Sequence, residues 1–168
     1  MKKTLITVLA TNLDYLGKIW NGPNTAVGLL YGGVGYALGH IMKTSPTITF
    51  GHNAIQFLNN PLSTTAVTLG NVVVYAGNCY HSNGACVYHP QAVRHSDQVL
   101  GLEEMQHTLQ GQVLGPLYFP AHCVFGVLAL LCTWRSKASL IARWHSPINI
   151  LETGPHMCPP RPWWFQTK

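Results

Sequence analysis

The chain has 168 residues, a length typical of one domain, and only 9% of them are charged, against roughly 25% in an average soluble domain. Ten Lys and Arg residues against five Asp and Glu give a net charge of +5, but the basic residues are scattered along the chain. Because a phosphate backbone is tracked by a basic stripe, this scatter argues against nucleic-acid binding. We expect a single domain over residues 1–168, which needs neither a metal nor a disulfide merely to fold.

The N-terminal segment, MKKTLITVLATN, has two lysines followed by a seven-residue apolar run, which is the outline of a short signal peptide. No small-x-small cleavage site precedes Asn12 and Asp14, so an ordinary first helix or strand is the better interpretation. A cluster of helix breakers, NGPNT, follows Trp20. Either Asn24 or Thr25 can cap the helix that comes next.

Residues 25–42, TAVGLLYGGVGYALGHIM, are apolar on every side and predict a helix. Its glycines recur at spacings of three and four, at Gly28, Gly32, Gly35 and Gly39. They predict a smooth face against which another helix, or a membrane helix, can pack closely. Eighteen residues is the lower limit for spanning a bilayer, so the segment is interpreted as a buried or membrane-touching helix.

After Pro46 the apolar period becomes that of strands, over residues 47–50, 54–58, 66–69 and 72–75. Gly70-Asn71 is a favoured two-residue turn, and the pattern predicts two hairpins or a meander in a small antiparallel sheet. Residues 77–99 have no sustained period and predict a loop. We expect strand 72–75, just before this loop, to be an edge strand beside any site.

That loop also carries residues of metal-ligand type, namely Cys79, His81, Cys86, His89 and His95. Cys79 and Cys86 flank YHSNGA, which reads as a turn; a disulfide and a metal knuckle are the alternatives. The five cysteines lack the spacing of a disulfide framework, so reduced thiols are expected.

The next helix is predicted over residues 100–114 and ends at Gly115-Pro116. Glu103 and His107 are four residues apart and therefore stack on one helix face. With histidine at position 103 the segment would read H-E-x-x-H, in which two ligands hold zinc and the intervening glutamate, here Glu104, activates water. A separate apolar stripe is predicted to face the core, comprising Leu102, Met105, Leu109 and Val113.

A second apolar helix is predicted from about Pro120, within LYFPAHCVFGVLALLCTW. We expect it to pack against the first apolar helix through Gly126 and Ala129, or to enter a membrane beside it. The following RSKASLIAR is typical of a solvated connection. The final Pro-rich and Trp-rich stretch predicts an extended wall that includes Trp163 and Trp164.

Two segments, EEMQHTLQGQVLGPLYFPAH and WHSPINILETGPHMCPPRPWW, resemble a small zincin-like metallopeptidase domain found at the C-terminal ends of bacterial RHS and other polymorphic-toxin proteins. In that family the motif helix reads H-E-x-x-H-T-x-Q and is followed at once by L-G-P-L-Y. The resemblance covers nearly the whole chain and includes Asn24-Thr25, NAIQF at 53–57 and TLGN at 68–71.

The resemblance implies a zinc hydrolase in which Glu104 polarises the water, His107 is a ligand and Glu152 is the third ligand. His122 and His145 are the competing candidates for that third position. The departure from the family is Glu103, where the motif has histidine. A carboxylate can bind zinc, so the sequence leaves open a retuned site, a site for a harder metal, or an inactive one.

The sequence therefore predicts an α+β fold in which apolar helices pack with a small sheet around a zincin-like motif helix. The predicted function is a zinc-dependent, peptidase-like toxin or effector domain, secreted or delivered by a bacterium. A peptide or protein substrate and an immunity protein are the expected partners. The alternative is a membrane-associated protein that acts through its glycine-rich apolar helices without catalysis.

Overall fold

The structure is a computed structural model that describes residues 2–51, 53–77 and 100–155. Helices α1 (Lys2–Trp20) and α2 (Gly22–Ile41) precede strands β1 (Thr47–Gly51), β2 (Ala54–Leu58), β3 (Ala66–Leu69) and β4 (Val72–Tyr75). Helix α3 (Leu100–Leu114), a 3-10 turn (Gly115–Leu117) and helices α4 (Tyr118–Cys132), α5 (Leu140–Trp144) and α6 (Ile150–Thr153) follow. This arrangement confirms the predicted α+β class.

The four strands form one mixed sheet in the order β1-β2-β4-β3. Both predicted hairpins are present, since β1 pairs with β2 and β3 with β4 in antiparallel fashion. The hairpins are joined through a parallel pair, β2 with β4, so the sheet is not purely antiparallel as expected. All four residues of β4 are buried, as a continuous apolar run in a central strand should be. The expectation that β4 is an edge strand was wrong, because β3 occupies the edge.

The glycine stripe of α2 packs against the sheet rather than against another helix. Gly28 lies over Val72, and a Cβ at Gly32 would be 2.4 Å from the ring of Phe57. Phe57 and Val72 belong to a buried apolar cluster with Val74. The smooth face predicted from the glycine spacing is therefore real, and it serves to bring a helix backbone close to the strands.

Helix α4 also differs from expectation in its partner. A Cβ at Gly126 would lie 2.3 Å from the indole of Trp144 in α5. Gly126 therefore makes room for Trp144, and α4 does not use it to pack against α2. Helix α5 itself lies at the end of the segment predicted to be a solvated connection, and Ser139 caps it by accepting from the backbone N–H of Ala142. Cys123 and Cys132 are free thiols, whereas Cys79, Cys86 and Cys158 lie outside the described residues.

A buried asparagine network joins the helices to the sheet. Asn24 donates from Nδ2 to the carbonyl of Gly115 at 2.6 Å and to Asn21 Oδ1 at 2.9 Å. Asn21 in turn donates to Asn71 Oδ1 at 3.1 Å, and Asn71 donates to the carbonyl of Asn53 at 3.0 Å. Since buried amides are costly unless bonded, this network fixes the end of α3 relative to both hairpin turns.

Much of the apolar surface of the helices faces outward. Leu30 in α2 is 70% exposed and Ile19 in α1 is 74% exposed. Within the described residues, one stretch, Glu103–Cys132, is long and apolar enough to cross a membrane, with a mean hydropathy of 1.7. A positive φ of 56° at Gly115 interrupts that stretch, so it is two helices rather than one straight span.

Two neighbouring glycines test how α2 packs. We expect Gly32→Ala to lower the free energy of unfolding by about 1–3 kcal/mol, because the new methyl group overlaps Phe57. Gly33→Ala is the matched control, since a Cβ there meets nothing within 4 Å and alanine favours helix by up to about 1 kcal/mol. Urea denaturation measures both variants. Equal stability of the two would contradict the packing of α2 on the sheet.

Candidate metal centre

Helix α3 has the predicted bounds but buries the opposite face from the one expected. The apolar stripe is partly exposed, with Val113 58% exposed and Met105 and Leu109 half-buried. The buried side chains are instead polar, namely Glu103, Glu104, Gln106, His107, Thr108 and Gln110. The apolar spacing therefore predicted the wrong buried face of α3. The polar face can be buried because the neighbouring elements supply hydrogen-bond partners for its side chains.

Two of those partners come from the sheet. Asn53, in the turn between β1 and β2, donates from Nδ2 to Thr108 Oγ1 at 3.0 Å. Thr68, on the edge strand β3, donates its hydroxyl to Glu104 Oε2. These bonds hold α3 against the β1–β2 turn and β3, and the second places Glu104 beside the edge strand.

Three side chains from three helices converge on one point. His107 from α3, His122 from α4 and Glu152 from α6 offer ligand atoms that all lie within 4.8 Å of one another. Glu152 Oε1 is 2.8 Å from His122 Nε2, and Oε2 is 3.4 Å from His107 Nε2. Ligands 2.0–2.2 Å from a tetrahedral ion are roughly 3.4 Å apart. The three residues therefore form a group that can hold a metal ion.

Gln110 sets the orientation of the His107 ring. Its Nε2 donates to the backbone carbonyl of Leu151 at 2.8 Å, which turns its Oε1 toward His107 Nδ1 at 3.0 Å. The Nδ1–H therefore donates to Gln110, and the Tyr118 hydroxyl is a second acceptor at 3.1 Å from the same nitrogen. In the neutral ring the lone pair then lies on Nε2, which faces Glu152.

His122 is held by aromatic packing. Its ring stacks on Trp144 with centroids 5.8 Å apart and planes at 30°, and the glycine at 126 makes room for that indole. His145, at the C-terminus of α5, lies beside the group with Nε2 3.9 Å from Glu152 Oε1. Its Nδ1–H donates to the carbonyl of Ile141 at 2.7 Å.

The charge balance of the group is dominated by buried carboxylates. Burial by itself lowers the pKa of His107, but the charge and hydrogen bond of Glu152, with the charges of Glu104 and Glu103, raise that pKa to about 10. Burial raises the pKa of the Glu104 carboxyl above its usual value, against the opposing charge of His107 and the Thr68 bond. Three carboxylates in one buried region favour a positive charge among them. A bound metal ion would displace the His107 proton.

A cavity of about 460 Å³ lies beside the metal-ligand group. Its lining includes β3 with the two residues before it, residues 64–69, and residues of α4 and α5. Glu103, Glu104, His107 and Glu152 line the cavity as well. The burial of Tyr118 and the charges of Glu152 and Glu104 raise its pKa well above normal.

The structure brings all of the predicted site residues into one region but ranks them differently. His107 and Glu152 belong to the group within 4.8 Å, and His122, a competing candidate in the sequence, joins them. Glu103 lines the same cavity and is 2% exposed, but it is not a member of that group. Sequence reasoning missed Gln110, Trp144 and Tyr118; of these, only the polar Gln110, three residues after His107 on the same helix face, offered a signal. His81, His89, His95, Trp163 and Trp164 lie outside the described residues.

No protein-family model, curated protein or solved structure matches this chain. The resemblance to toxin-associated metallopeptidase domains therefore stays a prediction.

Gln110 provides a test of the metal-ligand group that leaves its three ligands intact. We expect Gln110→Met to weaken metal binding by about 10–100-fold, because His107 loses the acceptor that orients it and α6 loses its tie through Leu151. Gln112→Met is the matched control, since Gln112 bonds Asp14 instead. Competition titration with a chromophoric zinc chelator measures both. Equal affinities for the two variants would contradict the assigned orientation.

Proposed function

We propose that the protein is a zinc-dependent hydrolase of peptide bonds, with the ion held by His107, His122 and Glu152. The observation that carries this proposal is the convergence of two imidazole nitrogens and one carboxylate beside a cavity. Two histidines and a glutamate are a donor set of catalytic zinc sites, which keep one position open for water or substrate. Bound zinc would supply a Lewis acid that activates water and polarises a carbonyl.

Glu104 is the proposed general base. Burial raises the pKa of its carboxyl above the usual value, which makes Glu104 a stronger base than an exposed glutamate. The Thr68 hydroxyl bonds one of its oxygens and holds the side chain at the wall of the cavity. In this role Glu104 takes a proton from the attacking water and later passes it to the leaving amine.

The edge strand supports a peptide as substrate. Within the described residues β3 is an edge strand that pairs only with β4, and its residues 66–69 line the cavity. An extended peptide can add to such an edge through backbone hydrogen bonds. The carbonyl of the peptide bond to be cleaved would then lie next to the three proposed metal ligands.

The departure at position 103 does not require an inactive site. His122 supplies the second imidazole from α4, so a histidine at position 103 is not needed to complete the donor set. In this proposal Glu103 adds negative charge near the ion without binding it. The resemblance to polymorphic-toxin domains extends the proposal to a bacterial effector, with an immunity protein as its partner.

A second candidate is a membrane-associated protein that acts without catalysis. The outward apolar side chains of α2 and α4 favour it, with Leu30 70% and Leu131 61% exposed. A function without catalysis gives no role to the cluster of three carboxylates and two histidines. One set of variants separates the two functions.

The decisive experiment measures zinc content and cleavage of a dye-labelled unfolded casein by the full chain. We expect one equivalent of zinc in the wild type, loss of zinc in His107→Ala, and retention of zinc in Glu104→Gln with the rate lowered by about 10²–10⁴-fold. Glu103→Gln is the matched control, since it removes the adjacent carboxylate and should keep both zinc and most of the rate.

Wild-type protein without metal, or Glu104→Gln protein as active as wild type, would refute the hydrolase. Zinc bound without cleavage of casein would still leave the ligand set supported and would direct the search to another substrate carbonyl. Activity that persists in His107→Ala would separate catalysis from this group altogether.

A further inference from the structure

Helix α4 has two faces, of which the metal-ligand group uses one. Tyr118, His122 and Gly126 recur every four residues and face inward, toward His107 and Trp144. The outer stripe is wholly apolar and is 43–61% exposed at each position, namely Val124, Val127, Leu128 and Leu131. A surface helix of a soluble domain carries charged or polar residues on its outer side. We therefore expect this stripe to contact an apolar partner.

The connection after α4 adds aromatic and basic side chains to the same end of the helix. Trp134 is 68% exposed, and the Arg135 guanidinium lies 4.9 Å from the centre of its ring. Lys137 is exposed too. Arg143 folds α5 back onto α4 by donating to the carbonyl of Leu130 at 2.5 Å and to Thr133 Oγ1 at 3.2 Å.

Helix α5 extends this surface with Leu140 at 67% and Ile141 at 59% exposed. We define the α4–α5 patch as the exposed side chains Val127, Leu131, Trp134, Arg135, Lys137 and Ile141. No Asp or Glu occurs between positions 105 and 151 of the sequence. The charge of the patch is therefore purely positive, at the edge of an apolar area.

We propose that the α4–α5 patch binds the surface of an anionic lipid bilayer. Apolar side chains with tryptophan at the boundary and Lys or Arg at the headgroup level are the composition of an interfacial anchor. The positive charges of the patch are attracted to the phosphate headgroups. Each basic residue near the bilayer surface adds a similar amount to the binding free energy. The binding does not depend on metal or on hydrolysis.

A second copy of the chain fits the patch less well. A two-fold dimer would set the same surface against itself and bring the cationic residues of both copies together, which is unfavourable. A full membrane span fits less well too. Gly115 breaks the candidate stretch. In the first half of that stretch Glu103 is buried, Glu104 is bonded by Thr68 of the sheet, and His107 contacts Glu152 of α6.

The patch also borders the cavity, because its residue Ile141 and the neighbouring Leu140 line the cavity while remaining exposed. Docking through this patch would place the Ile141 side of the cavity near the membrane surface. The site and the bilayer contact thus share helices α4 and α5, although they use opposite faces of α4.

Vesicle flotation of the full chain tests the proposal. We expect wild-type protein to float with vesicles of equal parts phosphatidylcholine and phosphatidylglycerol, and to do so less with phosphatidylcholine alone or at high salt. Replacing both Arg135 and Lys137 by Gln should weaken binding to the anionic vesicles by about 30-fold. Leu131→Ser with Ile141→Ser should weaken binding to both kinds of vesicle.

Phe50→Ser is the matched control, since it removes an 80% exposed apolar side chain from β1 and should leave flotation unchanged. Circular dichroism and thermal melting confirm that each variant is folded. The proposal is overturned if wild-type protein does not float with anionic vesicles, or if the patch variants float as well as wild type. The patch would instead be assigned to a second copy of the chain if the protein does not bind vesicles, forms a dimer in solution, and loses that dimer when Leu131→Ser and Ile141→Ser are combined.

Discussion

The structure depends on burying the polar face of α3. Side chains that would ordinarily face water, among them Glu104, His107 and Gln110, are no more than 6% exposed. Each buried polar group is costly unless it is bonded, so the neighbouring elements are arranged to supply partners. The edge strand bonds Glu104, α6 accepts from Gln110, and Glu152 meets His107.

The same constraint explains why α4 and α6 contact this helix, with α5 packed on α4. Glu152 brings a third carboxylate into the buried region, and His122 reaches it from α4 at 2.8 Å. Three carboxylates against imidazoles leave an excess of buried negative charge, which a divalent cation would balance. Trp144 then stacks on His122, and both rings line the cavity. Charge compensation thus links the packing of the last three helices to the proposed chemistry.

Local features of the fold were predictable from the sequence, whereas their long-range arrangement was not. Period and turn residues predicted α3 and both hairpins, because these depend on neighbours in sequence. The parallel junction of β2 with β4 depends on how two hairpins dock, which no local spacing encodes. At the site, Glu152 was predicted through a family resemblance, and His107 through its spacing from Glu103. His122 ranked below Glu152 because a histidine in an apolar helix is usually a core residue; only tertiary packing makes it a partner of Glu152.

The proposed function depends on a metal ion held by two histidines and one glutamate. X-ray absorption spectroscopy at the zinc edge of the loaded protein tests it most directly, with His122→Ala measured alongside. We expect light-atom ligands at about 2.0–2.2 Å and outer-shell scattering from two imidazoles. In His122→Ala that scattering should fall to one imidazole, or the metal should be lost. Sulfur scattering at about 2.3 Å, or an unchanged spectrum in His122→Ala, would contradict it.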